Sequence, residues 1–201
     1  MQLFLFYLTS LFNIDVENRT YNAHFDKEPQ EIVFYYHKGG QQIESERYKT
    51  NINAVLSHLD FVPNDKRIVN LVWETSITES FGGKYVKQIK GSAYGIYQIE
   101  MATYNCLVSW LERRKIKDQV FAFYDKNSTL EKNLKNNVPF TTALCIAHYY
   151  RYYGDDLPCK ANNILNRAKM WKVRYNTKHG KGSVKGYIKK VVKYGYLQKL
   201  L

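Results

Sequence analysis

Cysteine is scarce here and follows no recognisable pattern. The 201-residue chain has three, Cys106, Cys145 and Cys159, an odd number with no CxxC spacing. This argues against a disulfide framework and favours free thiols made in a reducing compartment, although two of the three can still pair. Long apolar runs are missing too. The stretch 3–12 is apolar, but a spanning helix needs roughly 20 such residues. No basic segment precedes it and no small-residue cleavage site follows it. The expectation is therefore a packed strand or helix, or a surface buried against another protein, rather than an export signal. No histidine or cysteine spacing suggests zinc, and the short nucleic-acid-binding signatures are absent, so neither a metal nor a cofactor is expected. Internal repeats and low-complexity linkers are lacking as well. The last shortage is of acid: 18 Asp and Glu stand against 30 Lys and Arg, a formal net charge of +12. From Arg151 to the end there are 13 basic and 2 acidic residues, so this stretch carries +11 of it. Such a field attracts polyanions, whether nucleic acid, anionic lipid, teichoic acid or lipopolysaccharide, without specifying one.

What is present supports a core. Hydrophobic residues make up 45% of the chain, enough for one domain with an appendage or two small ones. The 18 Tyr against 10 Phe suit carbohydrate and interface surfaces, since Tyr packs as an aromatic and keeps a hydroxyl; compositional bias explains the excess equally well. Residues 1–48 differ from the rest. A β-prone run, Ile32-Val33-Phe34-Tyr35-Tyr36, precedes Gly39-Gly40, which predicts a hairpin or extended arm without assignable chemistry. Residues 49–201 read as a helical domain. A short helix is predicted over 51–59, closed before Pro63, with Asn64 or Asp65 capping the next. Ile68, Val69, Val72, Trp73 and Ile77 then mark one buried helix face, and Gly82-Gly83 are expected to end it. A turn-rich stretch with strand character runs to Ile99. Further helices are expected over 102–114, 117–125, 138–153, 160–175 and 183–194.

Glu79 sits in the last turn of the 65–80 helix. The partial negative charge of a helix C-terminus disfavours an ionised carboxylate, and partial burial acts in the same direction. Both raise the pKa, as a general acid near neutral pH requires. Taken alone, a Glu at a helix end is usually solvated. Its neighbours matter more. Glu79-Ser80 is followed by Gly91-Ser92-Ala93-Tyr94-Gly95-Ile96-Tyr97-Gln98-Ile99 and then Glu100-Met101-Ala102-Thr103. Downstream, Trp171-Lys172-Val173-Arg174-Tyr175-Asn176-Thr177 precedes Gly180-Lys181-Gly182-Ser183 and Tyr187-Ile188.

This order resembles the lytic transglycosylase and goose-type lysozyme superfamily. There an E-S pair at a helix end is followed roughly 20 residues later by G-x-x-Q-[IM], and later by Y-N-x-G. The form of the third segment is closest in look to phage virion- and tail-associated transglycosylase domains. It departs from the pattern where Thr177-Lys178-His179 intervenes before the glycine. The resemblance covers residues 65–195. It implies a mainly α, lysozyme-like (α+β) fold with a small β element beside a cleft, and cleavage of the β-1,4 bond between N-acetylmuramic acid and N-acetylglucosamine in peptidoglycan. Glu79 becomes the catalytic residue, without need of a second carboxylate. Ser80, Tyr97, Gln98, Tyr175 and Asn176 become substrate-binding candidates. Each has a plainer role open to it: a turn bond for Ser80, packing for Tyr97 and Tyr175, a loop-closing amide for Gln98, a helix cap for Asn176. Tyr94 is placed with Tyr97 as a stacking or packing residue.

Among other ionisable residues, Glu74 is expected to be exposed on another face of the helix. Glu100 is a candidate second carboxylate or a favourable first-turn charge, and His148 a packed core histidine rather than a base. The implied partners are glycan strands, other virion or tail proteins, and anionic envelope polymers through the basic end; nucleic acid is not expected as a specific partner. The implied location is a phage virion acting on the host wall, or an endolysin released from the host cytoplasm. A hydrolytic lysozyme, and a virion structural or DNA-ejection protein of the same fold with little activity, stay open as alternatives.

Overall fold

The structure is a computed structural model and describes residues 45–88, 91–177 and 180–196. The expected hairpin over 32–47 and the apolar start lie outside the described residues, apart from the last few positions of the former. Those positions are helical. Helix α1 (Ser45–Leu56) already puts Tyr48 and Ile52 in the core.

Helix α2 (Lys66–Ser80) is the axis of the molecule. Asp65 starts it: its backbone is extended, and its carboxylate accepts from the Arg67 N–H at 2.7 Å, satisfying one of the orphan donors of the first turn. Residues on every side of α2 are buried, polar ones included. A helix this enclosed must pair its polar groups internally. Thr75 accordingly donates to Leu71 O and bonds the Tyr149 hydroxyl. Glu74, expected at the surface, is fully buried. Its two carboxylate oxygens take a fork from Arg167, at 2.6 and 2.8 Å, and Oε2 also accepts from the Tyr187 hydroxyl at 3.0 Å. The α2 face that spacing marked as polar therefore packs against two later helices.

Helix α2 ends at Ser80 as expected, but its cap is not a glycine. The left-handed residue that turns the chain is Phe81 (φ 55°, ψ 46°), whose N–H caps Ile77 O. Gly82 (φ 68°) and Gly83 (φ 93°) continue the turn. A bulky residue in this region costs about 1 kcal/mol or more. Phe81 is held there by edge contacts with Tyr85 and Tyr194, and by the Lys190 ammonium over its ring.

Two short antiparallel strands follow, β1 (Ala93–Tyr94) and β2 (Ile99–Glu100), paired Ala93 to Glu100 and Tyr94 to Ile99. Gly95 (φ 74°) begins their connection, and a Cβ there would lie 2.0 Å from Leu134 O, so glycine is required both for its dihedral and for the close approach. Helices α3 (Met101–Arg113), α4 (Lys117–Phe121) and α5 (Leu130–Asn136) surround the core; spacing alone did not indicate α5. Helix α6 (Val138–Tyr153) runs through the centre, capped by the Asn137 side chain on Phe140 N. The expected 160–175 helix is broken into α7 (Leu157–Lys160), α8 (Ile164–Met170) and a π-helical turn, Trp171–Tyr175, closed by Asn176 N on Trp171 O at 2.9 Å. Asn163 restarts the chain as the cap of α8. Helix α9 (Val184–Lys190) and a second π-helical turn, Val191–Tyr196, close the described chain against α2. Among the described residues the architecture is thus mainly helical with one small sheet. Among the described residues no helix is long and apolar enough to cross a membrane.

Candidate active site

The last turn of α2, the β1–β2 unit, α6 and the Trp171–Tyr175 turn enclose a cavity of about 610 Å3. Glu79 lies in its wall and accepts on Oε1 from the indole Nε1–H of Trp171 at 2.6 Å. Burial is the largest influence on the carboxyl and raises its pKa from 4.5 to about 7. The Trp171 hydrogen bond and the Lys190 charge oppose the rise, and the Glu100 charge adds to it. Lys190 also holds the helix end, because its ammonium donates to Thr78 O at 2.7 Å and so satisfies a carbonyl in the last turn of α2.

The candidates named from sequence divide into linings and supports. Gln98, Tyr175 and Asn176 line the cavity with Glu79. Gln98 has a left-handed backbone (φ 49°) and spends its amide N–H groups on Tyr85 O and Gly95 O. It therefore closes the loop, and the amide oxygen is the part left for a ligand. Tyr175 donates to Tyr97 O at 2.8 Å and stacks on Tyr149. Asn176 Oδ1 accepts from the Lys172 ammonium, which also donates to Thr177 O and Gly180 O. Lys172 thereby pins the loop that leads into α9.

Ser80 and Tyr97 are not on the cavity surface; both are fully buried. The Ser80 hydroxyl donates to Ile96 O at 2.6 Å and accepts from Gly83 N, which ties the end of α2 to the β1–β2 turn. The Tyr97 hydroxyl bonds those of Tyr48 and Thr142. Neither side chain presents surface to the cavity, and both tie together the elements around it. Tyr94 is half-buried under the Lys87 ammonium.

Three residues gain roles that spacing did not reveal. Trp171, which carried no function in the third segment, is the direct partner of Glu79. Its four-residue spacing from Tyr175 was the available signal, since i and i+4 share a helix face. Gly182 is the second: a Cβ there would lie 2.3 Å from Trp171 Cη2, so the glycine lets the loop close on the indole. The third is His148, nearly buried as expected for a core histidine, yet also part of the cavity wall. Its Nε2 bonds Arg174 O, and burial holds it below the usual imidazole range; Nε2 is therefore the protonated nitrogen. Nδ1 is buried without a hydrogen-bond partner among the described residues. Glu100 lines the same cavity and is exposed, and its side chain makes no cap at the start of α3.

Comparison with family models, curated proteins and solved structures returns no match to this chain.

Proposed function

We propose that this chain is a peptidoglycan-cleaving lytic transglycosylase with a lysozyme-like fold, and that Glu79 is its acid and then its base. The observation that carries the reading is the Glu79 carboxyl itself. It is desolvated, set in a cavity wall and raised to about 7, so much of it is protonated near neutral pH, as a general acid must be. In the proposed reaction, Oε–H of Glu79 protonates the bridging oxygen between N-acetylmuramic acid and N-acetylglucosamine. The C1–O bond breaks and an oxocarbenium-like centre develops. The Glu79 carboxylate then takes the proton of the C6 hydroxyl as that oxygen attacks C1, leaving a 1,6-anhydro end. The carboxyl finishes protonated, and no water is consumed.

Glu100 on the same cavity favours a second reading, hydrolysis, in which a second carboxylate activates water. Mass spectrometry of digested peptidoglycan separates the two: anhydro-muropeptides support the transglycosylase, and reducing ends replace it with a lysozyme. The exposed Lys185, Lys189 and Lys193 support contact with anionic envelope polymers. A virion location follows from the resemblance of the third segment to phage tail-associated domains, with virion proteins as further partners.

A further inference from the structure

We infer that Trp171 is the positioning residue of this site: its indole N–H keeps Oε1 of Glu79 as a permanent acceptor, so Oε2 is the oxygen that delivers and takes back the proton. The inference rests on reading Glu79 as a proton donor. An indole nitrogen donates and never accepts. At 2.6 Å from Oε1, its hydrogen takes one of that oxygen's two lone pairs and favours leaving it the carbonyl oxygen. A proton on Oε1 would make it a hydroxyl oxygen, a poorer acceptor than a carbonyl, and would weaken the bond. On Oε2 it leaves the bond intact in both ionisation states.

The indole is well placed to act as a fixed reference. Trp171 is nearly buried, packs on Tyr187 at 5.3 Å, and has the Gly182 backbone against its far edge. It stands at the start of the π-helical turn whose end, Tyr175, reaches across to Tyr97 O. Such turns concentrate where a helix must aim side chains at a site. Four residues before Trp171, Arg167 grips Glu74, and Glu74 lies five residues before Glu79. Two bonds of different chemistry therefore join the same pair of elements and fix their register.

Other groups also act on the carboxyl. Glu100 from β2 raises its pKa and Lys190 from α9 lowers it. Lys181 from the loop and His148 from α6 line the cavity. Cys145 and Tyr149 from α6, and Tyr175 from the π-helical turn, are held neutral by burial, and their ionisation is further opposed by Glu79. None of these donates a hydrogen bond to Glu79 among the described contacts, which leaves Trp171 to orient the carboxyl.

The test reads the indole N–H resonances of Trp73, Trp110 and Trp171 in the 15N-labelled protein from pH 5 to 9. The signal lost in Trp171→Phe should shift with a midpoint near that of Glu79, and should stay at a hydrogen-bonded position at both ends. In Glu79→Gln it should persist without titrating. A Trp171 signal that does not titrate, that titrates equally in Glu79→Gln, or that moves at pH 5 to the position of a free indole overturns the assignment. Wall-lysis kinetics give the second arm. Removing a donor that favours the carboxylate should extend activity upward by roughly one to two pH units, while kcat falls about 10- to 100-fold with KM little changed. An unmoved alkaline limb in Trp171→Phe also overturns it. A titrating Trp171 in a protein that leaves walls intact supports the oxygen assignment and removes the glycan reading alone.

Discussion

Replacing Arg167 with methionine tests whether the buried pair beside the site holds the fold in register. The perturbation keeps the length of an unbranched side chain and removes the guanidinium. In the native protein that group donates to both oxygens of Glu74, at 2.6 and 2.8 Å, and to Ala161 O at 3.0 Å. Both side chains are nearly or wholly buried, at 7% and 0% exposure, so water cannot replace the lost partner. Breaking such a pair from one side costs about 3–5 kcal/mol, because a carboxylate is left desolvated. A domain of this size holds about 5–15 kcal/mol in total, and each kcal/mol lowers Tm by about 2–4 °C. The expected fall is therefore about 6–20 °C, read by thermal and urea unfolding with the urea dependence unchanged. The double variant Glu74→Gln/Arg167→Met removes the stranded charge and should recover more than half of the loss. A drop below about 1 kcal/mol, the size expected of a surface pair, or a double variant no better than the single, would refute the reasoning.

Other consequences follow from the same geometry. Gly182→Ala puts a methyl 2.3 Å from Trp171 Cη2; wall-lysis rates should fall at least about tenfold, as misplaced catalytic groups usually entail, while circular dichroism stays native. The raised carboxyl also predicts a cost in stability. Glu79 has a folded pKa of about 7 against 4.5 unfolded, so its contribution is fully present below pH 4.5 and is lost as pH rises through 7. Glu79→Gln should therefore unfold at higher urea than the native protein at pH 8, by up to about 3 kcal/mol, and show no advantage at pH 4; equal stability at pH 8 would contradict the burial argument. Activity should decline through the same interval as the acid ionises.

Much of the helical layout was legible because periodicity reports burial on one face. Helix α3, buried at Tyr104, Leu107 and Leu111 along one face, carries that signal strongly. It failed where burial is two-sided or the helix is irregular. Glu74 looks like a surface residue because its partner, Arg167, is 93 positions away in sequence, and no local pattern announces a long-range ion pair. The break between α7 and α8 follows from the Asn163 cap, and the turn at Trp171 from its closure on Asn176; a 3.6-residue template smooths over both. The end of α2 at Ser80 was legible, and only its left-handed cap was not: Phe81 takes a role for which the glycines beside it are the usual choice. At the site, Glu79, Gln98, Tyr175 and Asn176 were named through the resemblance of their segments to the transglycosylase pattern, and the fold brings the four to one cavity. Ser80 and Tyr97 lie behind the cavity wall: a motif gives adjacency to a cleft, and only the fold gives the direction of a side chain. Trp171 stayed silent because tryptophan in a helix usually signals core packing, and its single N–H shows its use only beside a carboxyl.

The most direct measurement of the central claim is a zymogram on purified Gram-negative and Gram-positive walls, comparing the native chain with Glu79→Gln. The native protein should clear the wall and release 1,6-anhydro ends, and Glu79→Gln should clear nothing while remaining folded. Clearing by Glu79→Gln at an undiminished rate would contradict the account, because no proton held by residue 79 could then be taking part in the cleavage.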